Sequence, residues 1–235
     1  MDGYRVKIAA ECTDISRALL SHVALLVGRL GARKVSAWDP VPAGSAALEA
    51  CLAAGFLPGP VTTRFRLETA AIHAVLTPVV ERLRARSRIP AEGRVISLGE
   101  AVTEGRLSDV IALERAEVAS PAISSFDSVS QEHGLDRALS RVALAGDTVV
   151  ALVLGRVTEA GVFFVATRAV APSLRNGWAG ALLMQQGTAG LLTAHVYTIV
   201  LTATDGNSDT MMLARKGKGR IERESNLPYV PTAFG

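Results

Sequence analysis

Along residues 3–68 the apolar positions switch between a period of two and a period near 3.6. Tyr4–Ala10 alternates and predicts a short strand. Thr13–Leu30 carries Ile15, Leu19, Val23, Leu26 and Leu30 on one stripe and predicts a helix, with Thr13 as its N-cap and Gly31 just past its end. Lys34–Trp38 reads as a strand, Ser45–Ala54 as a second helix closed by Gly55, and Val61–Leu67 as a further strand. The order of this piece is β-α-β-α-β. A change of character follows. In Thr69–Arg88, Ile72, Leu76, Val79, Val80 and Leu83 recur at helical spacing, and Pro78 predicts a kink or a later helix start. Arg82, Arg84, Arg86 and Arg88 suit a solvated helix end, where the dipole favours cations. Pro90 and Gly93 complete a connector.

Residues 94–226 form the second piece. Arg94–Leu98 reads as a strand, Glu104–Val118 as a helical region whose Glu114 and Glu117 face solvent, and Ala119–Gly134 as a polar, irregular stretch. Ser140–Ala145 and Val149–Val157 flank Gly146-Asp147, a hairpin signal. Gly161–Val170 is a strand, Leu182–Leu192 an apolar helix, Thr198–Ala203 a strand, Thr210–Lys216 a short helix and Gly219–Arg223 the start of a last strand. Three consecutive strands before a crossover helix imply a mixed sheet in an α/β (α+β) fold. Residues 4–67 echo the later half of this piece, so the expected division is a half-domain (1–68), a linker helix (69–93) and a complete domain (94–235).

Composition narrows the function. The chain has 235 residues, 49% hydrophobic and 20% charged, which excludes global disorder. The excess of 25 Lys and Arg over 22 Asp and Glu leaves a charge of only +3, and aromatic residues are 5%; this argues against nucleic acid as a partner. No unbroken apolar run reaches the roughly 18 residues of a membrane helix. The start, MDGYRVKIAAE, lacks a secretory apolar core, and two cysteines make neither a disulfide framework nor a zinc site. The expected compartment is a reducing cytoplasm, with no metal. Cys12 and Cys51 read as inert buried thiols.

The most informative segment is Val165–Gln186, VATRAVAPSLRNGWAGALLMQQ. A strand ends at Val170, Pro172 breaks the ladder, and Gly177 and Gly180 precede the long helix. First-turn amides have no internal acceptor, and with the helix dipole they favour a phosphate; Arg175 adds a charge to the same place. Neither the dinucleotide nor the Walker pattern is present.

Val170-Ala171-Pro172 followed by Arg175-Asn176-Gly177-Trp178-Ala179-Gly180-Ala181 resembles the acetyl-CoA motif of the GNAT (GCN5-related) N-acetyltransferase superfamily. That motif runs Val-x-Pro, a spacer, then Gln/Arg-x-x-Gly-x-Gly/Ala at a helix start. Trp178 departs from the usual Gly, with Gly177 one residue earlier. The resemblance implies a mixed, mostly antiparallel central sheet flanked by helices, acyl-CoA N-acyltransferase-like. It also implies an acetyl-CoA-dependent transferase acting on an amine of a small molecule or peptide. Arg168, Ala169 and Val170 would meet the pantetheine arm through main-chain groups. Arg175, Asn176, Gly177, Trp178, Ala179, Gly180 and Ala181 would hold the pyrophosphate. The strand after the helix would splay from its neighbour to make the acyl cleft.

The first piece resembles only the later half of such a domain, and its loop Glu11-Cys12-Thr13-Asp14 is acidic, which repels a diphosphate. It therefore reads as degenerate and structural, and its open strand edges suit a homodimer. The family's usual carboxylate is missing from Gly161–Val170, and its usual Tyr from Thr210–Lys216. Asn207, Ser208 and Thr210 are the remaining weak catalytic candidates, and a hydroxyl there can donate a hydrogen bond. His133, beside Asp127 and Glu132, lies where the family covers its acceptor. The alternative function is a non-catalytic CoA-binding or protein-interaction module that kept the fold.

Overall fold

The computed structural model describes residues 4–6, 18, 21–23, 25–26, 29, 34–37, 41–59, 61–117, 134–158, 160–204, 208–226 and 229–231. The chain divides into two compact units, residues 1–64, 202–208 and 221–235, and residues 65–201 with 209–220.

In the first unit, β1 (Tyr4–Val6) lies parallel to β2 (Lys34–Ala37), whose other edge takes β11 (Tyr229–Pro231) antiparallel. Residues 18, 21–23, 25–26 and 29, within the expected first helix, are helical. A short strand, β3 (Val41–Pro42), pairs with β10 (Arg220–Asn226), which neighbours β4 (Val61–Glu68). Sequence periodicity misses β3 and β11 because strands this short show no period. Helix α1 (Ala46–Ala53) starts at Ser45, whose hydroxyl accepts from the Leu48 amide at 3.3 Å and donates to the Pro42 carbonyl at 2.8 Å. Cys51 is buried on this helix, and burial pushes its thiol pKa up, so it is a poor nucleophile.

The second unit contains α2 (Thr69–Ala85), β5 (Gly93–Ser97), α3 (Leu98–Thr103), α4 (Leu107–Glu117), β6 (Arg141–Ala145), β7 (Thr148–Val157) and β8 (Val162–Val170). A 3₁₀ turn (Pro172–Leu174) leads to α5 (Trp178–Thr193), β9 (Thr198–Thr204) and α6 (Ser208–Lys216). Strand order is β4-β9-β8-β7-β6-β5. From β5 to β8 every neighbour is antiparallel, and β8 to β9 is parallel, as a crossover through α5 requires. This is the mixed sheet that the order of elements implies, and it is mostly antiparallel, as the resemblance implies.

Alternation in the strands builds two cores. Leu144, Leu152, Leu154 and Ala169 face Leu98 and Val110 of α3 and α4. Val153, Phe163, Val165 and Ile199 meet Met184 and Leu191 of α5. Each large side chain so buried contributes roughly 1.5–3 kcal/mol. Several details differ from the periodicity. Helix α2 runs through Pro78, held by packing on α5, where His73 Nδ1 lies 3.1 Å from the Thr188 hydroxyl. The helical region expected over Glu104–Val118 is α4, starting at Leu107 after Gly105, and the short helix α3 before it is an element that periodicity misses. Glu114 is fully buried rather than solvent-facing. No helix among the described residues is long and apolar enough to cross a membrane.

Ser97 caps α3 with a reciprocal capping box: its hydroxyl accepts from the Glu100 amide at 3.1 Å, and Glu100 Oε2 accepts from the Ser97 amide at 2.6 Å. The Ser97 amide, then its hydroxyl, hold the Glu100 carboxyl below its ordinary range. That contribution is complete above the unfolded carboxylate value and is lost as pH falls through the lowered one. Ser97→Ala is expected to cost about 1 kcal/mol. The melting temperature then falls by about 2–4 °C at neutral pH, and the deficit narrows in acid as the variant and wild type both lose the charge. An equal deficit at every pH would separate the cap from the Glu100 charge.

Candidate functional site

Strand β8 carries the site. Its parallel pairing with β9 covers only three residue pairs, Val162–Thr198, Phe163–Ile199 and Phe164–Val200. Among the described residues β8 continues beyond them to Val170 without a β9 partner, so the pairing ends early, as the splay that the resemblance implies requires. The far side of β8 stays locked to β7, where Ala151 faces Val170 and Val153 faces Arg168. Past Phe164, β8 thus keeps an open edge among the described residues, with backbone donors and acceptors that β9 does not take up.

A bulge aims the side chains along that opening. Register jumps between Leu154, opposite Thr167, and Gly155, opposite Val165, leaving Ala166 as the extra residue. Ala166 is exposed between buried neighbours. Position 155 must be glycine: an added Cβ would lie 2.5 Å from the Phe164 carbonyl oxygen and 2.6 Å from the Phe163 ring. Past the bulge, Thr167 shares its face with Leu154 and the α3–α4 core, and Arg168 shares its face with Val153 and α5. Thr167 is buried, and its hydroxyl has no hydrogen-bond partner among the described residues. An unmet buried hydroxyl costs about 1–3 kcal/mol, the kind of cost retained where function asks for it.

The loop after β8 ends at the start of α5. The Leu174 carbonyl closes this turn by accepting from the Gly177 amide at 3.0 Å, with Asn176 at φ 58°. A Cβ on Gly177 would sit 2.9 Å from the Leu174 carbonyl oxygen, so only glycine fits this N-cap. It offers no side-chain cap, and the first turn carries no acidic residue. The amides of Trp178, Ala179 and Gly180 therefore open on a positive helix end. The Trp178 indole turns inward: it is 6% exposed and packs on Gly93 at the start of β5. The large residue at the family's glycine position thus fills the core.

Two arginines flank this helix start. Arg168 Nη1 donates to the Thr210 hydroxyl at 3.0 Å, tying β8 to α6. Its Nη2 lies 3.2 Å from the place of a Cβ on Gly180, so the guanidinium rests on the first turn of α5. Arg175, expected beside a diphosphate, ion-pairs with Glu117 of α4. Glu117 is largely buried (12% exposed) and Arg175 is largely exposed (56%). Ala169 and Val170 are buried on β8, and Ala181 continues the first turn. Of the catalytic candidates, Thr210 is 3% exposed and engaged by Arg168, Ser208 begins α6, and Asn207 lies outside the described residues, as does His133. Thr167, Glu117 and the bulge escape sequence reasoning; a glycine inside a strand pattern, Gly155, was the one available signal.

No protein-family model matches the chain, and no curated protein matches it in sequence. Solved structures do match. A functionally unknown conserved protein from Staphylococcus epidermidis aligns at TM-score 0.58 and 14% identity, over 97% of this chain and 84% of its own. A tandem GNAT protein from the clavulanic acid biosynthesis pathway aligns at TM-score 0.60 and 13% identity, over 97% of this chain and 75% of its own. A GCN5-related N-acetyltransferase from Sphaerobacter thermophilus aligns at 0.56 and 16%, over 85% of this chain, which spans 60% of that enzyme's length. The fold is that of the GCN5-related N-acetyltransferases.

Proposed function

We propose that this chain is an acetyl-CoA-dependent N-acetyltransferase that acetylates an amine of a small molecule or peptide. The observation that carries this reading is the parting of β8 from β9 above an acid-free, uncapped helix start. Residues there fit the cofactor. The open edge of β8 at Arg168, Ala169 and Val170 suits an extended amide arm, which can pair as an added strand does. Amides of Trp178 to Ala181, with Asn176 and Gly177 shaping the loop, suit a diphosphate. Arg168 and Arg175 supply positive charge beside it. Acetyl-CoA would bring an activated thioester, and the protein's share is to orient it and to keep an amine uncharged nearby. Thr210 positions Arg168 and is the buried member of that pair.

One observation favours a second reading, a CoA-binding module without turnover. Among the described residues β8 and α6 present no Glu or Tyr at the family's usual places, and the one buried hydroxyl of α6 is already held. Calorimetry with CoA, followed by a free-thiol release assay over a panel of amines, separates the two. Turnover supports the transferase; tight CoA binding with no thiol release from any amine supports the module.

Glu117 competes with any diphosphate for Arg175. Arg175→Ala is expected to weaken CoA binding at least about tenfold, since a hydrogen bond to a charged group is worth roughly 1.5–3 kcal/mol. Glu117→Gln is expected to tighten it severalfold by releasing the guanidinium. Calorimetric affinities unchanged in both variants would confine Arg175 to its ion pair.

A further inference from the structure

A second polar groove lies two strands away from the opening at β8. Its volume is about 740 Å³, and Ser97, Glu100, Arg141, Gln185, Gln186 and Ala189 line it. Arg141 is the centre of this groove. Its stem runs along α5 over Gly187 and Gly190, where an added Cβ would meet its Cγ at 3.7 Å and its Nη2 at 2.5 Å. Nη1 donates to the carbonyls of Ala138 and Ser140, the latter at 3.2 Å. The guanidinium is thus clamped from two sides. Among the described residues its Nε and Nη2 make no hydrogen bond, and it forms no ion pair.

Burial works against the Arg141 charge, and Glu100 and Asp136 are near enough to support it, but neither forms an ion pair with it. Asp136 Oδ1 accepts from the amides of Ala138 and Leu139, each at 2.9 Å. Glu100 Oε2 accepts from the Ser97 amide, and Oε1 has no partner among the described residues. An anion beside the guanidinium would offset the burial that opposes its charge. The groove therefore presents a fixed fork of donors, a carboxylate oxygen, and the side-chain amides of Gln185 and Gln186.

From this juxtaposition we propose that the groove is a binding site for a free α-amino acid. Arg141 takes the α-carboxylate through Nε and Nη2, and Glu100 takes the α-ammonium through Oε1. The two glutamine amides face the amino acid's side chain. A simple anion would meet Glu100 and Asp136 as like charges, and a simple amine would meet Arg141; a zwitterion satisfies both. A peptide separates its ammonium and carboxylate at opposite ends, so the free amino acid fits best. The site is independent of the CoA reading, because it sits on β5, β6 and the middle of α5.

The test uses the full chain, titrated calorimetrically with each of the twenty L-amino acids, with acetate and with methylammonium. At least one amino acid is expected to bind saturably, at least tenfold tighter than acetate or methylammonium. Arg141→Gln and Glu100→Gln are each expected to weaken it at least tenfold, with CoA affinity unchanged. Glu100→Gln keeps the capping hydrogen bond, since a glutamine carbonyl can accept from the Ser97 amide, and it decides the matter alone if Arg141→Gln does not fold. Failure of all twenty amino acids to bind overturns the proposal. So does acetate binding as tightly as the best amino acid, or Glu100→Gln binding it as wild type does.

Discussion

Gly180→Asp is expected to abolish measurable CoA binding, with a loss of at least about a hundredfold, or roughly 2.7 kcal/mol, while the protein still folds. Both halves of this result come from the surroundings of Gly180. An added Cβ meets Arg168 Nη2 at 3.2 Å and Val170 Cγ2 at 3.5 Å, the first being the far end of a flexible side chain. There is room for a small side chain once the guanidinium yields a few tenths of an ångström. A carboxylate there is favoured by the first turn of α5 and by Arg168, so folding is spared. It also occupies the same amides and the same cation that a diphosphate would use. Gly180→Ala, with the same Cβ and no charge, is expected to bind CoA within a few-fold of wild type. Equal CoA affinity in the aspartate variant would remove the α5 start from the site altogether.

Gly155→Val is expected to be the most damaging single change for stability. Its Cβ would meet a backbone oxygen at 2.5 Å and the Phe163 ring at 2.6 and 2.7 Å. A backbone carbonyl in a ladder cannot step aside as a side-chain tip can, so β7 and β8 must separate locally. Overpacking of this kind costs about 3 kcal/mol, and at this chain length the melting temperature falls by about 6–12 °C. The bulge at Ala166 should be lost with it, and CoA affinity should fall even at temperatures where the variant is folded. A melting temperature within a degree of wild type would mean that the bulge does not depend on glycine.

These two positions show how differently the chain discloses its features. Gly180 was legible because it belongs to a local pattern: a strand end, a proline, a turn and a helix start, all within about fifteen consecutive residues. Helix starts and turns are decided by neighbours along the chain, so their residues can be named without a fold. Gly155, a glycine inside a strand pattern, signals an irregularity but not its cause. Its constraint comes from Phe163 and Phe164 on the next strand, which only the antiparallel register brings against it. Trp178 was ambiguous for the same reason. A tryptophan at a loop mouth could cover a ligand or fill a core, and the position of Gly93, eighty-five residues earlier, decided for the core.

Charge is the feature least legible in the sequence. Glu114 and Glu117 lie on a helix with polar neighbours, and a helix in isolation would expose both. Packing α4 on β7 and β8 buries Glu114 completely and brings Glu117 to Arg175. Arg141 is likewise silent in the sequence: its neighbours Ala138 and Ser140 hold one side of the guanidinium, but the other side is set by two glycines nearly fifty residues away.

Taken alone, the amino-acid order determined the alternation of strands and helices, the mixed sheet, and the glycine-bearing helix start, because each rests on periodicity or on bonds between near neighbours. The parting of β8 from β9, the bulge, the inward Trp178, the Arg168–Thr210 tie and the Arg141 groove were decided by tertiary structure. Those features depend on register and burial between segments far apart in the chain, and no local propensity carries information about a partner that folding has yet to supply.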